Sequence, residues 1–312
     1  VGAGNNEVEV GLRGALRLLG ATRPWSFSMT AVSVALGTLA AARQGPVTWW
    51  LALLTLGGTL CLHAATNLAN DYYDFLGGID RPDSPGVLAR HHPLIEKTLS
   101  PRQVLAGAAA FWVAAALIGA GLGVARGWLL IVLTAIGVFA GFFYSGGPLR
   151  LKGRALGELT AFLMWGPLMV LGAYFVQTQT LRGSSPALAL SVIQGLWVAL
   201  VLLCNNIRDQ EVDASLSIHT PATLLGRGAA RGLAVGLGAA AYVITGAGAL
   251  LGVLRPWLLL VALSLPLAVK LLSSLFDPRG VQGNTPTVAA RTAMIFGILL
   301  ILGQVLSLGL PG

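Results

Sequence analysis

The 312-residue chain is short of charge: Asp, Glu, Lys and Arg make up 10% of it, against 55% hydrophobic residues and a mean hydropathy of +0.76. Soluble domains carry about 25% charged residues, so a large water-soluble core is excluded and a polytopic membrane protein is expected. Cysteine is almost absent. Cys61 and Cys204 both lie in apolar segments, which excludes zinc-type Cys/His spacing and leaves two buried, reduced thiols packing as small hydrophobes. There is no Ser/Pro-rich linker or low-complexity run, so the chain reads as one domain. The motifs of nucleotide-binding loops, of hydrolase nucleophile elbows and of dinucleotide folds are also missing. The N-terminus lacks a signal-peptide pattern. Residues 1–22 read as a cytoplasmic tail with a short surface helix at 8–20, and residues 23–312 as a single membrane domain.

What is present is a series of apolar stretches near the ~20 residues that span a bilayer. Nine are expected, at 25–43, 48–69, 103–123, 127–145, 156–176, 187–207, 229–253, 256–275 and 291–310, making an all-α, polytopic helical bundle with a polar cap on its cytoplasmic side. Basic residues concentrate in the N-terminal tail and in every second connection, and the other connections hold one each: Arg43, Arg126, Arg182 and Arg255. The positive-inside rule places the tail and the Arg-rich loops in the cytoplasm. All 12 acids fall on that same side, which the rule does not demand and a one-sided polar mouth does. The net charge of +8 therefore reflects topology and contact with anionic lipid, not nucleic acid. With no organelle-targeting pattern, the expected location is a bacterial plasma membrane.

Half of the 12 acids gather in two clusters. The first runs Asn67, Asn70, Asp71, Tyr72, Tyr73, Asp74 and, past Gly77-Gly78, Asp80. The second runs Asn205, Asn206, Arg208, Asp209, Glu211 and Asp213. As a helical extension of the second span, Asn67, Asn70, Asp71 and Asp74 share one face, and Asp209 and Asp213 are likewise one turn apart. Carboxylates beside membrane helices are costly and mark function. Hard cations such as Mg²⁺ take oxygen ligands, often from one or two carboxylates plus substrate phosphates. Two such stripes facing each other would hold a diphosphate through bridging metal ions. Surface ion pairing with neighbouring Arg, the plain reading of a single Asp pair, accounts poorly for two Asn-preceded clusters at one membrane face.

A third polar segment, Tyr144-Ser145-Gly146-Gly147-Pro148-Leu149-Arg150-Leu151-Lys152, joins the fourth and fifth spans on the same side. Lys152 is placed to meet diphosphate oxygens, as is Arg208, whereas Arg150 and Arg154 read as topology signals. Tyr144 lies where its ring face would stabilise a cation. His63, inside the second span, reads as a packing hydrogen-bonder. His91 and His92 are adjacent and receive no role, and His219 is set to meet substrate or a headgroup.

At these segments the chain resembles the UbiA superfamily of intramembrane prenyltransferases, and within it the 1,4-dihydroxy-2-naphthoate polyprenyltransferase branch. The residues that carry the resemblance are Asn70-Asp71-Tyr72-Tyr73-Asp74 with Gly78-Ile79-Asp80, Tyr144-Ser145-Gly146-Gly147-Pro148, Ala155-Leu156-Gly157-Glu158, and Asn205-Asn206-Ile207-Arg208-Asp209 with Asp213. The resemblance implies Mg²⁺ held by Asp71, Asp74, Asp209 and Asp213, with Lys152 and Arg208 neutralising a departing diphosphate. It further implies substrate contacts from Asn67, Asn70, Tyr73, Asp80, Tyr144, Asn205 and Asn206. The implied partners are a long-chain prenyl diphosphate, an aromatic acceptor and the lipid bilayer, and the implied product is a demethylmenaquinol formed with loss of CO₂. A relative with another acceptor (4-hydroxybenzoate, homogentisate, a chlorophyllide or a glycerol phosphate ether) and, from a different class, a secondary transporter remain the alternatives.

Overall fold

Apolar residues recur through stretches long enough for many helical turns, and the computed structural model of the chain is accordingly helical. It describes residues 14–277 and 285–309. Nine long helices follow in order: α1 Phe27–Ala41, α2 Trp49–Leu76, α3 Pro101–Arg126, α4 Leu129–Ser145, α5 Gly157–Thr178, α6 Ser185–Ser215, α7 Pro221–Leu250, α8 Pro256–Ser274 and α9 Thr285–Gly309. No strand occurs among the described residues. All nine expected segments are thus helical, but α1 has 15 residues and α4 has 17. Among the described residues, seven helices are long and apolar enough to cross a membrane, where nine crossings were expected. Of the expected surface helix at 8–20, residues 14–21 are helical; residues 1–13 and the loop arginine Arg279 lie outside the described residues. Cys204 is buried as expected, whereas Cys61 is only partly so, and both are free thiols.

Local sequence accounts for the helix ends. Ser100 and Thr220 cap α3 and α7, each followed by Pro at the first helical position and by a reciprocal bond with Gln103 or Thr223, which satisfies otherwise orphaned amides. The α2 helix stops at Gly77, and Gly78 takes φ +67°, a left-handed conformation that costs glycine little. Pro167 supplies no amide proton, and α5 widens into a π turn over Met164–Leu168 around it.

The α6 helix is the post of the bundle, with most of its apolar length buried inside the protein. Around it pack α1, α5, α7 and α9, and Trp197, Tyr242 and Phe296 form a ring cluster with centroids 5.1–6.2 Å apart. Small residues let backbones meet here. A Cβ on Gly166 would come 2.5 Å from the Ser191 carbonyl, and one on Gly195 would come 2.7 Å from that of Phe162. Without a hydrophobic force between helices inside lipid, such close packing carries much of the association. At one end of the bundle Arg126 donates to the carbonyls of Val176 and Gln177, both at 2.7 Å, and Gln177 accepts from Thr48 N at 2.9 Å. The opposite end gathers the C-termini of α2, α4 and α6 with their long connections.

The Gly195 contact leaves no room for a larger side chain. Gly195→Leu is expected to cost about 1–3 kcal/mol through overpacking. Gly236→Leu, at a position with nothing within 4 Å, should cost little. Thermal unfolding in detergent reads the difference, and equal midpoints would contradict the close packing of α5 on α6.

Candidate active site

The C-terminal turns of α2 and α6 face a cavity of about 580 Å³. From α2 come Asn67, Asn70 and Asp74; from α6 come Asn205, Asn206, Arg208 and Asp209. Tyr144 from α4, Lys152 from the connection after it, and Asp80, Arg90 and Arg23 complete the polar mouth. Deeper in, the wall is largely apolar, with Leu62, Leu122, Leu133 and Leu168 among its residues, and His63 and several threonines also line it.

The charges are paired one by one. Asp74, buried, accepts from Lys152 Nζ at 2.6 Å and from Asn70 Nδ2 at 2.7 Å, and Asn70 Nδ2 also lies 2.7 Å from Ser145 Oγ. Burial alone would discharge the Lys152 ammonium, but Asp74 beside it reverses the effect and holds its pKa above the usual lysine range. Arg208 grips its neighbour Asp209 with two bonds, at 2.8 and 2.7 Å. Lys152, Asp74, Arg208 and Asp209 line the same cavity, so the two clusters meet there.

Three residues expected at the site sit differently. Asp71 is fully buried but does not line the cavity. At 3.6 residues per turn it falls at the edge of the arc defined by Asn67, Asn70 and Asp74. There Arg23 bonds Asp71 Oδ1, and Arg90 bonds both of its oxygens, at 2.7 and 3.1 Å. Asp213, one turn beyond Asp209, is buried off the cavity. Tyr73 also stands outside the cavity, edge-on to Phe142 and against Gly146, where it packs helix on helix. The amide nitrogen of Asn67 is spent on the Thr22 carbonyl at 2.8 Å, and that of Asn206 on Glu158 Oε1 at 2.8 Å.

The loop between α2 and α3 folds back over both clusters. Its turn Pro85–Leu88 reaches α6, where a Cβ on Gly86 would lie 3.4 Å from the Arg208 guanidinium and 3.7 Å from an Asp209 oxygen. His92 anchors this loop. It is fully buried, and its Nδ1 accepts from the amides of Leu94 and Ile95. The ring proton is therefore on Nε2, which donates to Asp80 Oδ2 at 2.9 Å. Burial pushes the Asp80 carboxyl upward, but the His92 bond and nearby Lys152 outweigh it and hold the pKa below the usual value. Asp71, Asp80 and His92 bring ligand-type atoms within 4.8 Å of one another, yet the proton on Nε2 and the two arginines on Asp71 make this an internally satisfied cluster. Across the mouth, the connection after α4 is tied to the one after α6 by paired backbone bonds between residues 153–155 and His219.

Sequence reasoning missed Arg23, Arg90 and His92. The positive-inside rule accounts for any loop arginine equally well, and adjacent histidines carry no periodic signal. The pairing of Asn70 with Ser145 was legible only as two polar residues at helix ends.

The donors at the mouth are carboxylate and amide oxygens without a thiol among them, a set suited to a hard divalent cation. Charge-assisted donors stand beside each carboxylate, ready to meet phosphate oxygens. Ionic groups therefore meet an apolar cavity at one end of a membrane bundle, which suits an amphiphile with an anionic head and a hydrocarbon tail.

Known proteins resemble the chain over most of its length. The UbiA prenyltransferase family matches over residues 30–295. The chain is 31% identical over 293 residues to a 1,4-dihydroxy-2-naphthoate octaprenyltransferase of Bacillus subtilis, covering 92% of this chain and 91% of that one. It is 33% identical over 283 residues to the protein of the same description in Mycobacterium tuberculosis, covering 90% and 94%. Its fold matches that of a UbiA homolog from Archaeoglobus fulgidus bound to DMAPP and Mg²⁺, with a TM-score of 0.64 and 16% identity over 92% of this chain and 99% of that one.

His92→Leu would leave the buried side of Asp80 without its donor, at a cost of about 1–3 kcal/mol. Faster limited proteolysis within residues 77–100 is the expected result. An unchanged cleavage rate would show that His92 does not hold the loop.

Proposed function

The chain belongs to the UbiA prenyltransferase family and is a prenyltransferase of the membrane, and from that premise we propose that it transfers a polyprenyl group from a prenyl diphosphate to 1,4-dihydroxy-2-naphthoate. The observation that carries this reading is that carboxylate clusters from α2 and α6, with Lys152 on Asp74, line the polar end of one largely apolar cavity. The acceptor is taken from the likeness to the Bacillus subtilis and Mycobacterium tuberculosis enzymes, which extends over nine-tenths of the chain. We further propose nine membrane crossings, with α1 and α4 as short ones, the polar mouth in the cytoplasm and the protein in a bacterial plasma membrane.

Asp74 and Asp209 at the cavity wall, with Asp71 and Asp213 behind them, would hold Mg²⁺, and the amide oxygens of Asn70 and Asn205 would support them. When bound, the metal supplies positive charge that favours loss of diphosphate as the leaving group. Lys152, Arg208, Arg23 and Arg90 neutralise carboxylates here, and with Mg²⁺ held by those carboxylates they would be free to meet the phosphate oxygens. The allylic C–O bond breaks with its electron pair leaving on diphosphate, and the apolar walls keep water from the allylic cation. Tyr144 offers its ring face to that cation. The ring carbon bearing the carboxylate attacks, and its bond to CO₂ breaks to restore aromaticity. The products are a prenylated naphthalenediol, CO₂ and diphosphate.

Asp71→Asn and Asp209→Asn should each abolish turnover in protein that still folds, and full activity in either would remove the metal-site reading. EDTA should stop the reaction and Mg²⁺ restore it. The identifying assay is mass spectrometry of products from purified protein given Mg²⁺, a long-chain prenyl diphosphate and a panel of aromatic acceptors. A decarboxylated prenyl product from dihydroxynaphthoate alone is expected. A product from another acceptor would keep the site and change the substrate. No product at all would reject the reading.

A further inference from the structure

His63 is a buried ionisable side chain within a membrane helix, and nothing in the reaction proposed above uses it. It lies about three turns before Asp74 on α2, with Phe27 and Trp165 rings at 5.2 and 4.9 Å. Its hydrogen bonds run in one direction. The Trp165 indole N–H, which can only donate, donates to Thr30 Oγ at 3.0 Å. The Ser26 hydroxyl proton is committed to the Arg23 carbonyl at 2.7 Å, so His63 Nε2 carries the ring proton and donates to Ser26 Oγ at 3.2 Å. Nδ1 accepts from the Thr30 hydroxyl at 2.9 Å. Asn67 Nδ2 joins the end of the relay, meeting Ser26 Oγ at 3.3 Å and the Thr22 carbonyl at 2.8 Å.

The relay thus ends on the two carbonyls that flank Arg23. That residue has φ 59° and ψ 60°, a left-handed conformation that L residues other than glycine, Asn and Asp avoid, so its backbone has to be held. Its side chain reaches from this turn to Asp71 and, at 3.1 Å, to Asn70 Oδ1, and it lines the cavity. A relaxed turn would aim the guanidinium elsewhere.

We propose that His63 is a positioning residue for the anion-binding end of the cavity. Through Ser26 and Asn67 it fixes the peptide groups on either side of Arg23, and so directs the Arg23 guanidinium to the place where the diphosphate head binds. This rests on the prenyl diphosphate reading given above. The relay explains why a polar chain of Trp165, Thr30, His63 and Ser26 crosses from α5 through α1 and α2 where apolar packing would suffice.

The test is calorimetric binding of inorganic pyrophosphate with Mg²⁺ to the full chain in detergent. His63→Leu should weaken binding about tenfold, the loss of one charge-assisted contact. His63→Gln, which retains an N–H near the Nε2 position, should restore most of it, with equal thermal midpoints in the two variants. On an Arg23→Ala background, His63→Leu should cause no further loss. Ser26→Ala, which breaks the relay outside the helix core, should repeat the His63→Leu effect even where that variant fails to fold. Equal losses in His63→Leu and His63→Gln, additive losses with Arg23→Ala, or wild-type binding in Ser26→Ala would overturn the proposal. A wild-type protein that binds no pyrophosphate would overturn the prenyl diphosphate reading itself, and the positioning role with it.

Discussion

The structure depends on how carboxylates are kept charged at the end of a membrane bundle. Asp71 is fully buried and Asp74 nearly so, and an unpaired carboxylate in such a place is strongly disfavoured. Four site carboxylates therefore have a donor or cation beside them: Arg23 and Arg90 for Asp71, Lys152 for Asp74, His92 for Asp80 and Arg208 for Asp209. These pairs also position the chain. Arg23 comes from the entry to α1, Arg90 from the loop after α2, and Lys152 from the connection after α4. Satisfying the acids on α2 thus draws three separate segments to one mouth, and breaking such a buried pair by removing one partner costs about 3–5 kcal/mol.

The same pairs give the site its chemical readiness. On the proposed reading, a carboxylate that already holds a cation would exchange it for a metal ion, and the released guanidinium or ammonium would be free to meet phosphate. Strong binding of the metal and of the anionic head is then expected to be mutual. On the same reading, the largely apolar interior beyond the mouth would hold a hydrocarbon tail and shield a carbocation from water.

Much of this was legible in the sequence because membrane constraints are strong. Apolar runs located all nine helices, and the Asp spacing on α2 and α6 placed Asn67, Asn70, Asp74, Asn205 and Asp209 on a common cavity. Crossing lengths were less legible, since apolar residues flanking α1 and α4 look like helix until turn geometry ends them. Side-chain direction at an arc's edge was also hidden, and so Asp71 and Tyr73 were expected to face the cavity. The partners Arg23, Arg90 and His92 come from loops whose path no periodicity describes. His63 read as a packing residue because its role depends on the backbone of Arg23, far away in sequence.

The most direct test of the central claim is a structure of the protein with Mn²⁺ and a non-hydrolysable prenyl thiodiphosphate, with the metal located by anomalous scattering. The account predicts metal between Asp74 and Asp209, the thiodiphosphate against it, and Lys152 and Arg23 turned from their carboxylates to phosphate oxygens. A thiodiphosphate bound away from the two clusters, or carboxylates still holding their present partners with no metal between them, would contradict it.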